Sequence, residues 1–253
     1  MSRVMYLFVL ALMLSIEGFG KTTADSLFMA ANASYDEGDY AAATEQYEAI
    51  LVRGYESPEV YYNLGNCYYK QEEYPRAILN YERALLLDPG NDDIEHNLEK
   101  SRLYTIDKIE EIPQFVIMKW VNRIIILMHS NSWAIISLVT FLIMLAMFLL
   151  YFLSTNVARK RAGFYLALVA LIISAGSYYL ASKSKQLVVN SNGAIVMNAT
   201  VTVKASPRDA GTDLFIIHEG TRVSIVNSLD DWYEIRLSDG KQGWLRNTSV
   251  EPI

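Results

Sequence analysis

Two charge-free runs stand seven residues apart in this chain, and they limit its fold more than any other feature. WAIISLVTFLIMLAMFLLYFLS covers residues 133–154, and AGFYLALVALIISAGSYYLAS covers residues 162–182. A helix rising about 1.5 Å per residue crosses a hydrocarbon core of roughly 30 Å in about 20 residues, so either run suffices. Their closeness predicts a hairpin of two membrane helices that turns at residues 155–161. Trp133, Tyr178 and Tyr179 lie at run ends, where aromatic rings meet the membrane interface. Arg159, Lys160 and Arg161 crowd the turn and place it in the cytoplasm, although Lys183 and Lys185 flank the opposite end.

The N-terminus supports the same orientation. Arg3 precedes an uncharged stretch from Val4 to Ile16, followed by Gly18 and Gly20. A basic start, a short apolar core and small residues make a secretory signal the expectation for residues 1–20. Residues 21–132 and 183–253 then lie outside the cytoplasm. Residues 114–131, with Lys119, Asn122 and Arg123 on one helical face, read as an amphipathic helix in the outer interface. The alternative is a core helix packed on the segment before it.

That preceding segment repeats itself at an offset of 34 residues. Gly38-Asp39-Tyr40 aligns with Glu72-Glu73-Tyr74, Ala43 with Ala77, Tyr47 with Tyr81, Asn32 with Asn66, and Tyr35 with Tyr69. The period and helix–turn–helix pattern resemble the tetratricopeptide repeat. Residues 24–57 and 58–91 form the two copies, and residues 92–113 are expected to be a solvated capping helix that completes an array over 24–113. Gly65 and Ala77 are small where the helices of one repeat cross, and Pro89 ends the second helix.

Such arrays hold extended peptides or partner helices against the first helix of each repeat. The resemblance assigns Phe28, Asn32, Tyr35, Tyr62, Asn63, Asn66, Tyr69 and Lys70 to that groove. Phe28, Asp93 and Asn97 stand where a carboxylate-clamp subtype would need cations. Aromatic and amide groups in an acidic domain point instead to a neutral or basic partner. Residues 21–113 hold 19 Asp and Glu against 8 Lys and Arg, a balance of −11, while the whole chain carries −6. An acidic balance excludes nucleic acid as a partner, because phosphate binding needs a cationic face.

From Ala194 the pattern changes to short alternating strands separated by Gly-, Asp- and Ser-rich turns, as in a small β-barrel. Gly220, Val223, Trp232, Ile235, Gly240, Gly243 and Trp244 fall at positions that resemble bacterial SH3 domains, over residues 190–253. Trp232, Tyr233 and Trp244 are the candidate recognition surface. Gly240 and Gly243 are expected to bracket a tight turn whose backbone angles other residues avoid.

Chemistry is sparse. The lone cysteine, Cys67, cannot form an internal disulfide, and three histidines in three regions give no metal-site spacing. No nucleophile or phosphate-binding motif is present. The expectation is a non-enzymatic chain with no cofactor and no metal. Its fold class is a multidomain membrane protein: an all-α repeat array, a two-helix transmembrane hairpin, and a C-terminal all-β SH3-like barrel.

The order of these segments, with LMHSNSWA at 127–134 and HEGTRVSIV…WYEIRLSDGKQGWL at 218–245, resembles E-type members of the Bacteroides aerotolerance (Bat) family. The resemblance implies a bacterial inner-membrane scaffold with both soluble modules in the periplasm. It also implies membrane partners bearing von Willebrand factor A domains, a MoxR-type ATPase and a link to oxidative-stress tolerance. An alternative reading is an envelope-anchoring protein whose SH3-like domain binds cell-wall peptide while the repeats recruit a cell-wall enzyme.

Overall fold

The computed structural model describes residues 23–109, 116–189 and 191–253. The expected signal at 1–20 lies outside the described residues. The described residues form two compact units, one holding residues 23–87, 92–109 and 192–253, the other holding residues 88–91, 116–189 and 191.

The first unit begins with five helices: α1 (residues 23–36), α2 (Tyr40–Val52), α3 (Pro58–Lys70), α4 (Tyr74–Leu87) and α5 (Asp92–Arg102). Their ends are fixed locally. The Asp39 carboxylate accepts from the Ala42 amide and Ser57 Oγ from the Val60 amide, with Pro58 in the first turn. Asp92, Asp93 and Glu95 open α5 and Lys100 and Arg102 close it, each sign suiting the helix dipole. The repeat extends to the backbone: Gly38 and its counterpart Glu72 both take positive φ, +84° and +62°. Ala43, Ala77, Tyr47 and Tyr81 are buried at equivalent places, and Ile94 and Leu98 of α5 close the core in the positions of Val60 and Leu64. A Cβ on Gly65 would come within 2.7 Å of the Tyr81 ring, so the α3–α4 crossing requires glycine.

Seven strands follow: β1 (Gly193–Val196), β2 (Thr200–Lys204), β3 (Asp213–His218), β4 (Arg222–Leu229), β5 (Trp232–Arg236), β6 (Gln242–Arg246) and β7 (Val250–Pro252). They form one antiparallel sheet in the order β3-β2-β6-β5-β4-β1-β7. The sheet is open, since its end strands β3 and β7 do not pair, where a barrel is expected. The far end is engaged with the helices instead. All four residues of β1 are buried: Ala194 and Val196 belong to the sheet core, while Ile195 packs in the core of the repeats with Met197 and Ile253 beside it. Both faces of β1 are covered, which explains a continuous apolar strand at an otherwise alternating sheet.

Charge pairs fix the same junction. Glu82 of α4 has a side chain only 9% exposed and receives Arg102 of α5 and Arg222 of β4. Arg83 bonds Glu251 at 3.0 Å and the Pro252 carbonyl at 2.7 Å. After α5 the chain runs to the sheet, where Asp107 accepts from the His218 amide (2.7 Å) and the Thr221 hydroxyl (2.7 Å) and faces His218 Nδ1 (3.0 Å). The repeats and the sheet therefore form a single body.

The second unit holds α6 (Val116–Ile126), α7 (Ser130–Leu153) and α8 (Val157–Val189). Both α7 and α8 are long and apolar enough to cross a membrane. They pack along a seam of small residues on α8: Gly163, Ala167, Ala170, Ser174, Ser177, Ala181 and Ser184 are buried at alternating steps of four and three. That is the heptad spacing of close helix pairing. Ser137 Oγ donates to the Ser174 carbonyl (3.0 Å) and Ser174 Oγ returns the bond to Ser137 (2.9 Å). The outward faces carry exposed Leu, Ile and Phe throughout. α8 starts at Val157, capped by Asn156 Oδ1 on the Ala158 amide, so Arg159, Lys160 and Arg161 sit on its first turns and not in a free loop.

Candidate functional site

The repeats leave a concavity among α1, α3, α4 and α5. Tyr35, Tyr62, Asn66, Tyr69 and Lys70 line it, together with Tyr81, Asn97 and Lys100. Its volume is about 260 Å³, below the roughly 300–1,000 Å³ typical of small-molecule sites and suited to one or two side chains of a peptide.

The floor is an internal network. Tyr81 Oη donates to Asn66 Oδ1 at 2.7 Å, and Asn97 Nδ2 donates to the same oxygen at 3.0 Å and to the Tyr62 hydroxyl at 2.9 Å. One repeat earlier Tyr47 bonds Asn32 Oδ1, which also accepts from Asn63 Nδ2 at 3.2 Å. Asn32 and Asn63 thus lie in the equivalent network outside the concavity. Phe28 lines a separate depression with Ile50 and Val60 and meets the Tyr47 ring edge-on at 5.9 Å. Burial pushes the Tyr47 phenol up to about 12, and raises that of Tyr81 as well. Both hydroxyls are therefore permanent donors at neutral pH. Burial likewise pushes the Cys67 thiol up to about 11, which leaves it a packing residue and not a nucleophile.

The rim is aromatic and basic. Tyr69 meets Tyr74 at 5.8 Å and Tyr104 at 6.1 Å, and Tyr74 stacks on Tyr104 at 4.2 Å. Lys100 Nζ stands 5.9 Å from the Tyr69 ring. The sequence pattern does not single out Lys100, because α5 reads as a solvated cap, and Asn97 enters it only as a clamp position that lacks a cation. A signal existed: each lies 34 residues after a groove asparagine, Asn66 and Asn63.

Residues 58–91 match the family model of the tetratricopeptide repeat. No curated protein matches the chain. The matched segment is α3–α4, the pair that supplies most of the concavity, and a repeat of this kind points to an adaptor for protein partners.

The sheet aromatics do not converge. In the β5–β6 register Trp232 pairs with Arg246 and Glu234 with Trp244, so Trp232 and Trp244 share one face. Tyr233 points to the other, against the sheet core. Trp232 is 7% exposed, covered by the Arg246 guanidinium 4.4 Å from its ring, while Trp244 is half-buried.

Proposed function

We propose that the chain is a non-enzymatic, membrane-anchored adaptor whose repeat groove holds an extended segment of a partner protein. One observation carries this reading. The sheet covers α4 through Glu82, Arg83 and the strand β1, yet the tyrosine-rimmed concavity on α1, α3 and α5 stays open. α7 and α8 serve as the membrane anchor, and α6 lies in the interface. The order of segments supports a place in a Bat-type inner-membrane assembly, with both modules outside the cytoplasm and von Willebrand factor A-domain proteins and a MoxR-type ATPase as co-workers.

The test uses Tyr69→Ala in the intact chain. Tyr69 projects from the rim, and loss of a hot-spot ring costs about 2 kcal/mol, roughly 30-fold in affinity. Recovery of co-purifying partners from membranes should collapse while helical content holds. Full recovery would remove the groove from consideration.

The envelope-anchoring reading is favoured by a different feature. β3 is an edge strand of the SH3-like sheet, with Leu214 and Ile216 about half exposed, and an edge can take an added peptide strand. Retention of the intact chain on purified peptidoglycan, lost on Ile216→Lys, would favour it.

A further inference from the structure

The groove carries a charge opposite to that of its domain. Although the segment around it is strongly acidic, the charged side chains lining the concavity are Lys70 and Lys100, with no carboxylate among them. Three other cations of the repeats are neutralised within the fold, Arg76 by Glu73, Arg83 by Glu251 and Arg102 by Glu82, and Arg53, at the end of α2, lies outside the concavity. Among the described residues Lys70 and Lys100 make no ion pair, and both are exposed, in the last turns of α3 and α5.

The floor below them is partly committed to its own network. The Asn66 oxygen already accepts two hydrogen bonds, the Tyr81 hydroxyl donates to it, and the Asn97 amide nitrogen serves Asn66 and Tyr62. Each lysine ammonium keeps three donors and no acceptor, so a ligand must present acceptors there, best of all anionic ones. The net charge of the whole domain does not set this preference. Exposed charges are screened over about 8 Å at physiological ionic strength, so the groups that line the concavity weigh most, and no carboxylate is among them.

We infer that the groove selects an acidic extended segment of its protein partner, with side-chain carboxylates held by Lys70 and Lys100 and the rings of Tyr62 and Tyr69 covering the aliphatic parts. This rests on the adaptor reading of the same groove, and it replaces the neutral or basic partner expected from overall charge. The lysines stand at other positions than those a carboxylate clamp uses, which are Phe28, Asp93 and Asn97 here.

The experiment selects random dodecapeptides from a displayed library on the detergent-purified full chain. Recovered peptides should be enriched in Asp and Glu. Their binding should fall at least tenfold with Lys70→Gln/Lys100→Gln, while Lys70→Glu/Lys100→Glu should instead recover peptides rich in Lys and Arg. Circular dichroism should be unchanged, since both side chains are exposed. Recovery of peptides without acidic enrichment, or with equal binding to the double Gln variant, overturns the inference. If such peptides are still lost on Tyr69→Ala, the groove remains the binding surface and only its charge preference fails. Capture indifferent to Tyr69→Ala and to the lysines, or no capture at all, overturns the adaptor reading together with the inference.

Discussion

Tyr81 Oη donates to Asn66 Oδ1 at 2.7 Å, and Tyr47 makes the same bond to Asn32, 34 residues earlier on both sides. Each asparagine oxygen also accepts from the first helix of the next repeat, from Asn97 and Asn63 respectively. One amide thus ties three consecutive helices and sets their register beneath the groove. Asn66→Ala would leave the Tyr81 hydroxyl, on a residue 1% exposed, without its acceptor, and the Asn97 amide with the Tyr62 hydroxyl alone. An orphaned buried donor costs about 1–3 kcal/mol, whereas Tyr81→Phe removes the donor itself and should cost about 1 kcal/mol or less. Urea unfolding of the full chain, followed by helical signal, should rank the two in that order. Equally small losses in both variants would mean that packing of the Tyr81 ring on Gly65, which both variants keep, sets the register and not the amide.

Asp107 predicts how the attachment between repeats and sheet responds to acid. Burial works to raise its carboxyl, but the hydrogen bonds from the His218 ring and amide and the Thr221 hydroxyl outweigh it and hold the group below its ordinary value of 3.8. A depressed folded value contributes stability that is complete above the unfolded value and is lost as pH falls through the folded one. The attachment should therefore be insensitive between pH 5 and 7 and weaken below about pH 4. Asp107→Asn should lower stability at pH 7 by about 1.5–3 kcal/mol, the worth of hydrogen bonds to a charged group, and abolish that acid step. Proteolysis at residues 103–109 against pH reads both effects. An acid step that survives in Asp107→Asn would assign it to another carboxylate.

What the sequence discloses here follows the range of the interaction. Ala43, Ala77, Tyr47 and Tyr81 are readable because a 34-residue offset repeats one local packing problem. The apolar runs of α7 and α8 are readable for the same reason, since length and charge are local properties. The Asp107–His218 contact spans 111 residues and leaves no trace in either segment's pattern. Ile195 looks like any inward strand residue, and only the docked sheet shows that it faces the helices. Trp232 reads as an exposed recognition residue until the hairpin register sets Arg246 beside it. Lys100 was legible from its offset to Asn66, but the charged surface of α5 obscured it.

Gly243 tests the packing of the sheet. Its backbone is not in the left-handed region, which Gly240 takes at φ +90°, so the turn itself does not require it. The need is spatial: a Cβ there would approach Val203 Cγ1 to 2.6 Å and the Lys204 carbonyl to 2.9 Å, where β6 meets β2. Only the single pair Lys204–Trp244 joins these strands in register, so little else compensates. Gly243→Val should destabilise the sheet by about 1–3 kcal/mol, the usual cost of overpacking. Gly240→Ala should cost about 1 kcal/mol through backbone strain at its positive φ. Thermal melting monitored by tryptophan fluorescence separates the two, and equal melting temperatures would refute the spatial account.

The membrane orientation is the last test, and it decides where the groove meets its partner. Arg159, Lys160 and Arg161 occupy the first turns of α8, a position unfavourable for cations next to a helix N-terminus. Asn156 supplies the cap that a negative residue would otherwise provide, through Oδ1 on the Ala158 amide at 2.8 Å. Three cations kept against the helix dipole are better explained by sidedness than by helix stability, because positive residues beside a membrane helix hold that end in the cytoplasm. In the proposed topology the two flanking segments share the opposite side, which agrees with the pairing of Arg83 and Glu251 within one body of repeats and sheet. A reporter active only outside the cytoplasm should work when fused after Ile253 or after Pro113 and fail after Lys160. Neutralising Arg159, Lys160 and Arg161 together should weaken this asymmetry, leaving a mixed population. A reporter active after Lys160 would invert the assignment and place both modules, with the groove, in the cytoplasm. Activity at only one of the two flanking fusions would mean that α7 and α8 do not both cross.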